Sequence, residues 1–324
     1  MIVLDQISKN FPGANRPAVD RMSLSVNQGN ICVFVGPSGC GKTTILRMIN
    51  RLEEPDSGRI LIDGKDILNV NPDHLRRSIG YVIQQIGLLP HRTIEQNVSL
   101  VPELIGWTRD KTRQRVMDLL TMVGLEHTEV GHKYPHQLSG GQMQRVGVAR
   151  ALAADPPIML MDEPFGAVDP IVRIRLQDEF LRLQQQFKKT ICFVTHDINE
   201  AIKMGDYLVI MNQGRLVQTG TPIDVLTSPA DEFVLDLLGD DRGVKILDLT
   251  RSETLMEPVS ESSGNLMRNG CRIQAIQPVK IALEMMMQKN ADLVGVYRGE
   301  ELVGMLAWNS IKEHISRISS EGRT

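Results

Sequence analysis

The spacing of apolar residues changes period as the chain advances. Near the start, short runs read as strands: Ile2–Ser8, Met22–Val26 and Ile31–Val35, the last two separated by the turn Asn27-Gln28-Gly29-Asn30. Ile31-Cys32-Val33-Phe34-Val35 is apolar throughout, the composition of a strand buried on both faces of a parallel sheet. Arg59–Ile62, closed by Asp63-Gly64, and Ile79–Ile83, stopping at Gln84-Gln85, are further strands. From Ile94 to about Gly124 the period becomes helical, with Thr112–Val123 amphipathic; Ser139–Ala154 is a second helix with Ser139 as its N-cap. Strand and helix then alternate. Ile158–Met161, Thr190–Thr195 and Tyr207–Met211 read as strands, Ile171–Phe187 and Asp197–Met204 as helices, and Arg215–Gln218 closes a hairpin around Asn212-Gln213-Gly214. The alternation predicts an α/β fold: a mostly parallel sheet wrapped by helices, with a helical segment at about 86–155 inserted between its strands.

Composition shifts near Gly239. Leu249–Gly270 carries Ser, Glu, Gly and Pro with little periodicity and reads as a linker. Beyond it, Pro278–Gln288 is helical, Leu293–Tyr297 and Leu302–Leu306 pair across Arg298-Gly299-Glu300, and a last helix starts near Ser310. The expected organisation is a first domain over 1–240, a linker over 241–270 and a small α+β module over 271–324. Met285-Met286-Met287 is expected to pack in a core or a dimer seam.

The length of 324 residues allows about two domains, and 42% hydrophobic with 23% charged residues describes a globular chain with a sizeable core. A net charge of −3 gives no electrostatic case for nucleic acid. The four cysteines, Cys32, Cys40, Cys192 and Cys271, lack metal-ligand spacing and suit a reducing compartment. Met1–Asp5 shows no basic segment leading into an apolar one, so no signal peptide is expected, and no apolar stretch approaches the ~18 residues of a membrane span.

The chemistry starts at Gly36-Pro37-Ser38-Gly39-Cys40-Gly41-Lys42-Thr43, which fits the phosphate-loop pattern G-x-x-x-x-G-K-[ST] in every fixed position. A buried strand precedes it, and Thr44–Leu52 follows with apolar residues at helical spacing. The glycines let backbone N–H groups turn onto an anion, and the helix start adds partial positive charge. Lys42 is placed to reach the β- and γ-phosphates of a nucleoside triphosphate, and Thr43 to ligate Mg²⁺. Cys40 lies by the helix start, a setting that promotes thiol reactivity, so alkylation there is expected to block nucleotide binding.

Ile158-Met159-Leu160-Met161 ends in Asp162-Glu163, a buried strand that delivers acids to its C-terminal end, where open α/β sheets bind ligands. Asp162 is placed for the Mg²⁺ shell near Thr43, and Glu163 as general base for an attacking water. Leu138-Ser139-Gly140-Gly141-Gln142 opens a helix with a hydroxyl and exposed N–H groups, a second anion site.

Together these residues resemble the ATP-binding subunit of an ABC transporter. Leu138–Gln142 matches the signature of that family, Gln84 its Q-loop, Gly166-Ala167-Val168-Asp169 its D-loop and His196 its switch histidine; Phe11 falls where the family stacks an aromatic ring on adenine. The resemblance implies a phosphate-loop ABC-type domain. In it Gln84 ligates Mg²⁺ and senses the γ-phosphate, and His196 holds Glu163 and the water in line. Met48–Leu52, Gln84–His91, Tyr134–Leu138 and Arg145–Pro156 are similar to the glycine betaine/carnitine/choline importers of quaternary-ammonium osmoprotectants. Asp292–Leu306 followed by Trp308-Asn309-Ser310-Ile311 resembles a CBS motif, with Ala307 and Ser310 where nucleotide-binding members place their ribose ligands.

The resemblance further implies ATP and Mg²⁺ as cofactors and a homodimer in which the phosphate loop of one copy meets the signature of the other, with Asp169 at the contact. It implies an integral membrane permease docked near Gln85–His91 and, through it, an extracytoplasmic substrate-binding protein. The location implied is peripheral, on the cytoplasmic face of the inner membrane. An importer of another solute, such as an amino acid, and a soluble ABC ATPase without a permease are the alternatives.

Overall fold

The computed structural model describes residues 1–83, 87–166, 168–259 and 271–321, with side chains to residue 317. The chain forms two compact units, Met1–Thr219 and Gly220–Thr324.

The first unit contains two sheets. One is four-stranded, in the order β2-β1-β4-β5, from β1 (Ile2–Lys9), β2 (Val19–Val26), β4 (Ser57–Ile62) and β5 (Lys65–Asp66). Its pairings are antiparallel, with Ile2 opposite both Val26 and Ile62, and Leu4 opposite both Leu24 and Ile60. The alternation of β1 breaks where the register shifts between Leu4 and Ile7 and Gln6 takes φ +51°. The bulge resets the phase, so Leu4 and Ile7, three residues apart, both reach the core.

The second sheet holds β3 (Ile31–Val35), β6 (Ile79–Val82), β7 (Ile158–Asp162), β8 (Thr190–Thr195), β9 (Tyr207–Asn212) and β10 (Arg215–Gly220), in the order β10-β9-β3-β8-β7-β6. The pairs from β9 through β6 are parallel. Every residue of β3, β7 and β8 is buried, which is why these runs read as apolar without alternation. Gln213 and Gly214, φ +49° and +83°, make the two-residue turn between β9 and β10. Between β6 and β7 the chain is helical, at Ile94–Leu104, Arg109–Met122, His127–Val130 and Gly140–Leu152.

The expected mostly parallel sheet is therefore one of two in the first unit. The strand starting at Val19 belongs to the antiparallel one, because only there does its alternation find partners.

The second unit carries helices at Pro222–Thr227, Glu232–Leu238, Arg242–Leu249 and Ser252–Leu255, then a three-stranded sheet in the order β11-β12-β13. The strands are β11 (Arg272–Gln274), β12 (Leu293–Arg298) and β13 (Glu301–Ala307); β11 pairs parallel and β13 antiparallel to β12. Helices Val279–Lys289 and Trp308–Glu321 complete it. Two expectations change here. The boundary falls at Thr219/Gly220 rather than at 240, and 241–259 is not an irregular linker. Leu247 shares an apolar cluster with Ile273, Val279, Val294 and Leu306, and the Glu257 and Met305 backbones bridge. Of the three methionines, Met286 is core, Met285 packs against it and Met287 is exposed.

Within the first unit, a buried polar contact ties the Pro170–Phe187 helix to the Ile198–Met204 helix. Gln177 Nε2 donates to Glu200 Oε1 at 3.0 Å. Burial pushes the Glu200 carboxyl above its ordinary range, against hydrogen bonds from Thr195 and Gln177. The folded chain thus holds a proton on Glu200 more tightly than the unfolded chain. The associated stability is present below about pH 4.3 and is lost as pH rises through the folded-state value.

Two outcomes are expected. Glu200→Gln should flatten the fall in urea midpoint that sets in as pH rises above about 4.3, where an unchanged slope would contradict the assignment. Phe34→Ala, at a fully buried position of β3, should lower the unfolding free energy of the first unit by about 3–5 kcal/mol; a loss below about 1 kcal/mol would show that the site collapses around the cavity.

Candidate functional site

Three neighbouring strand ends build the site. Val35, the last residue of β3, pairs with Thr195 of β8, and Asp162 of β7 pairs with Val194 of β8. The chain leaves these ends as Gly36, His196 and Glu163, so the loops that carry them start side by side.

The phosphate loop wraps from β3 into the Lys42–Ile49 helix. Two of its glycines are required by space as well as by conformation. A Cβ on Gly36 (φ +154°) would stand 2.2 Å from the Met211 carbonyl oxygen, and one on Gly41 (φ +105°) 2.2 Å from that of Ala18. Gly41 is the N-cap and offers no side chain to the helix, so the first-turn N–H groups of Lys42, Thr43 and Thr44 take no cap from it. Lys42 is buried, and its Nζ donates to the carbonyl oxygens of Gly36 at 2.6 Å and Pro37 at 2.9 Å. Ser38 and Gly39 are exposed at the tip. Cys40 corrects an expectation: its side chain is 3% exposed, in the core cluster with Phe34 and Ile45, which argues against a reactive thiol.

Thr43 Oγ1 donates to Asp162 Oδ1 at 3.1 Å, across 119 residues of sequence. Burial raises the Asp162 carboxyl above its ordinary range; the Thr43 hydroxyl pulls it back, and the Glu163 charge pushes it up again. A hydroxyl and a buried carboxylate are hard oxygen donors suited to Mg²⁺, which is usually held by one or two carboxylates together with substrate phosphates. A divalent cation here would favour the charged form of Asp162. Among the described residues no cluster of three or more His, Cys, Asp or Glu is arranged to hold a metal.

Glu163 lies one residue on, in the left-handed region at φ +48°. That conformation costs roughly 1–2 kcal/mol for a residue with a Cβ. Its N–H donates to Val194 O at 3.0 Å, and its carbonyl oxygen accepts from Gly166 N at 3.1 Å and from Gln144 Nε2 at 2.9 Å. Glu163 Oε1 lies 3.0 Å from Nδ1 of the exposed His196.

The remaining predicted residues occupy other parts of the first unit. Ser139 caps the Gly140–Leu152 helix in a capping box: its hydroxyl accepts from Gln142 N at 3.2 Å, and Gln142 Oε1 accepts from Ser139 N at 2.9 Å. Gly140 is exposed, and a Cβ there would meet nothing within 4 Å. Asp169 caps the Pro170–Phe187 helix, accepting from Ile171 N at 3.0 Å and Val172 N at 3.4 Å. The next turn exposes Ile171 and Ile174, apolar side chains at 76% and 55% exposure. Phe11 is 37% exposed and outside the core, with Lys9 Nζ 5.7 Å from its ring centre. Gln84, Gln85, Ile86 and Ala167 lie outside the described residues.

Sequence reasoning missed three residues. Tyr81, on β6, is raised to about 12 by burial first and then by the Asp162 charge, so it stands beside that acid as a neutral phenol, hydrogen-bonded with Arg47. Asn97 is fully buried and clamps the Leu89–Thr93 turn through Leu89 N at 2.8 Å and the carbonyl oxygens of Leu89, Arg92 and Thr93. Gln144 is the third. The signal for the last two was a lone amide on an otherwise apolar helix face.

Comparison with known proteins agrees with this geometry. The ABC transporter family profile matches residues 19–166. The chain is 47% identical over 324 residues to the glycine betaine/carnitine/choline transport ATP-binding protein OpuCA of Bacillus subtilis, covering 99% of this chain and 82% of the relative. It is 52% identical over 250 residues to the osmoprotectant import ATP-binding protein OsmV of Salmonella typhimurium, covering 76% and 65%. Among solved structures, the dimeric bacterial ABC transporter cassette MJ0796 matches with a TM-score of 0.64 at 34% identity, over 68% of this chain and 99% of that one. A post-hydrolysis dimer of the same cassette, bound to ADP and Pi, matches equally well, with a TM-score of 0.64 at 33% identity and the same coverage. The phosphate loop, the Asp162–Glu163 strand end and the Ser139 helix start thus sit in a chain that belongs to the ATP-binding proteins of ABC transporters.

Proposed function

We propose that this chain hydrolyses ATP to drive import of a quaternary-ammonium osmoprotectant (glycine betaine, choline or carnitine) through a membrane permease. The observation that carries the hydrolytic part is the pair of contacts at one sheet edge: Thr43 to Asp162, and His196 to Glu163. The solute class rests on the names of the relatives, whose identity spans nearly the whole chain.

In this reading Gly36–Thr44 cradles the phosphates, Lys42 swings from its loop carbonyls to the β- and γ-oxygens, and Phe11 stacks on adenine. Thr43, Asp162 and Gln84 would hold Mg²⁺, which when bound would neutralise phosphate charge. Glu163 takes the proton of the attacking water as its oxygen bonds to the γ-phosphorus and the bond to the β–γ bridging oxygen breaks. His196, hydrogen-bonded to Glu163, keeps the carboxylate on line.

The site is half of one. Ser139, Gly140, Gly141 and Gln142 present their free helix start to the ATP of a second copy, and Asp169 with Ile171 and Ile174 lies at the contact. Supporting this are the exposure of both isoleucines and the dimeric assembly of the cassette neighbour. The permease docks at Gln85–His91, next to the Leu89–Thr93 turn that Asn97 clamps, and a substrate-binding protein acts beyond it. The subunit works at the cytoplasmic face of the membrane. No helix among the described residues is long and apolar enough to cross it.

For the second unit, the order strand–helix–strand–strand–helix from β11 to the Trp308–Glu321 helix supports a CBS-like module that stabilises the dimer. Ala307 stands where a ribose ligand is expected, which favours support over nucleotide sensing.

Glu163→Gln should lower turnover by roughly 10²–10⁴-fold while ATP still binds, and should trap an ATP-bound dimer visible by light scattering. Wild-type turnover in this variant would overturn the assignment of the base. ATPase activity reconstituted with the permease should rise with betaine, choline or carnitine and the cognate binding protein. A rise only with an amino acid would transfer the chain to another solute class.

A further inference from the structure

Gln144 stands two residues beyond Gln142 on the Gly140–Leu152 helix, and only 5% of it is exposed. Its Nε2 donates to the carbonyl oxygen of Glu163 at 2.9 Å. Among the described residues the Glu163 backbone also bonds to Val194, on the neighbouring strand, and to Gly166, in its own turn. The bond from Gln144 differs in origin, because it arrives from the inserted helical segment. Gln144 also lines a small space with Val82 and Ile83, where β6 ends.

We propose that Gln144 is a positioning residue for ATP hydrolysis, locking the strained backbone of Glu163 to the helix that opens with Ser139-Gly140-Gly141. The inference rests on the reading of Glu163 as the base. A residue at φ +48° has a relaxed alternative at negative φ, and moving to it would swing the Cα–Cβ bond and carry the carboxylate away from His196 Nδ1. A buried amide donor resists that move, because the flip would break its hydrogen bond to the Glu163 carbonyl oxygen. The same bond makes the Ser139 helix start and Glu163 parts of one body. A shift of the helix as it closes on one ATP therefore displaces the base that serves the other.

The test uses the full-length chain with Mg²⁺ and ATP. Gln144→Met keeps the volume and removes the donor; Gln144→Glu keeps the shape and, as a carboxylate, offers only acceptors. Both should lower kcat by roughly 10- to 100-fold, the scale of a misplaced catalytic group, while the affinity for a fluorescent ATP analogue stays within about twofold. Wild-type kcat in both variants would overturn the proposal. So would loss of nucleotide affinity in step with kcat, which marks general disruption of the fold. Glu163→Gln is run alongside: if it turns over normally, the base assignment fails, whereas an inactive Glu163→Gln with fully active Gln144→Met and Gln144→Glu refutes only the role of Gln144.

Discussion

Parallel pairing of β3, β8 and β7 is the constraint on which the chemistry depends. A parallel ladder aligns strand ends that are far apart in sequence, and here it sets Val35 beside Thr195 and Asp162 beside Val194. The three strands are wholly buried, so a one-residue slip of register would turn each side chain to the opposite face and break the packing on both sides of the sheet. The sheet core thus fixes the phosphate loop, the acid pair and His196 against one another before any ligand arrives.

That preorganisation is held in strained places. Gly36 and Gly41 approach carbonyl oxygens so closely that no Cβ fits, and Glu163 adopts a left-handed backbone although it has one. Left-handed non-glycine residues persist where surrounding bonds over-determine them, and among the described residues Val194, Gly166 and Gln144 bond the Glu163 backbone. Burial raises the Asp162 carboxyl above its ordinary range, with the Thr43 hydroxyl working against it. The site is built to receive charge that the polypeptide does not itself supply.

Much of this was legible in the sequence because its signals are local. The run Ile31–Val35, the phosphate loop and the helix after it follow one another directly, as do Ile158–Met161 and its acids. The rest depends on contacts between distant segments. The bulge at Gln6, which lets Leu4 and Ile7 share a core, leaves no periodic signal. Gln144 and Asn97 look like stray amides until the fold brings Glu163 and the Leu89–Thr93 turn to them. Arg242–Leu249 reads as part of the linker because its apolar period runs for only two turns beside the Ser-, Glu- and Gly-rich stretch; Leu247 becomes core only through β11, β12 and the helix between them.

The central claim is that each ATP site is completed by a second copy, with the phosphate loop of one chain meeting Ser139–Gln142 of the other. Complementation between two inactive variants tests it most directly. Lys42→Ala removes the phosphate contact and Ser139→Arg obstructs the helix start, so each homodimer holds two damaged sites. A mixed dimer assembled across the interface combines the damage in one site and leaves the other intact. ATPase activity should therefore appear on mixing the two purified variants, rising to a maximum near equal amounts. No activity at any ratio, with mixed dimers demonstrated by differential tags, would contradict the account.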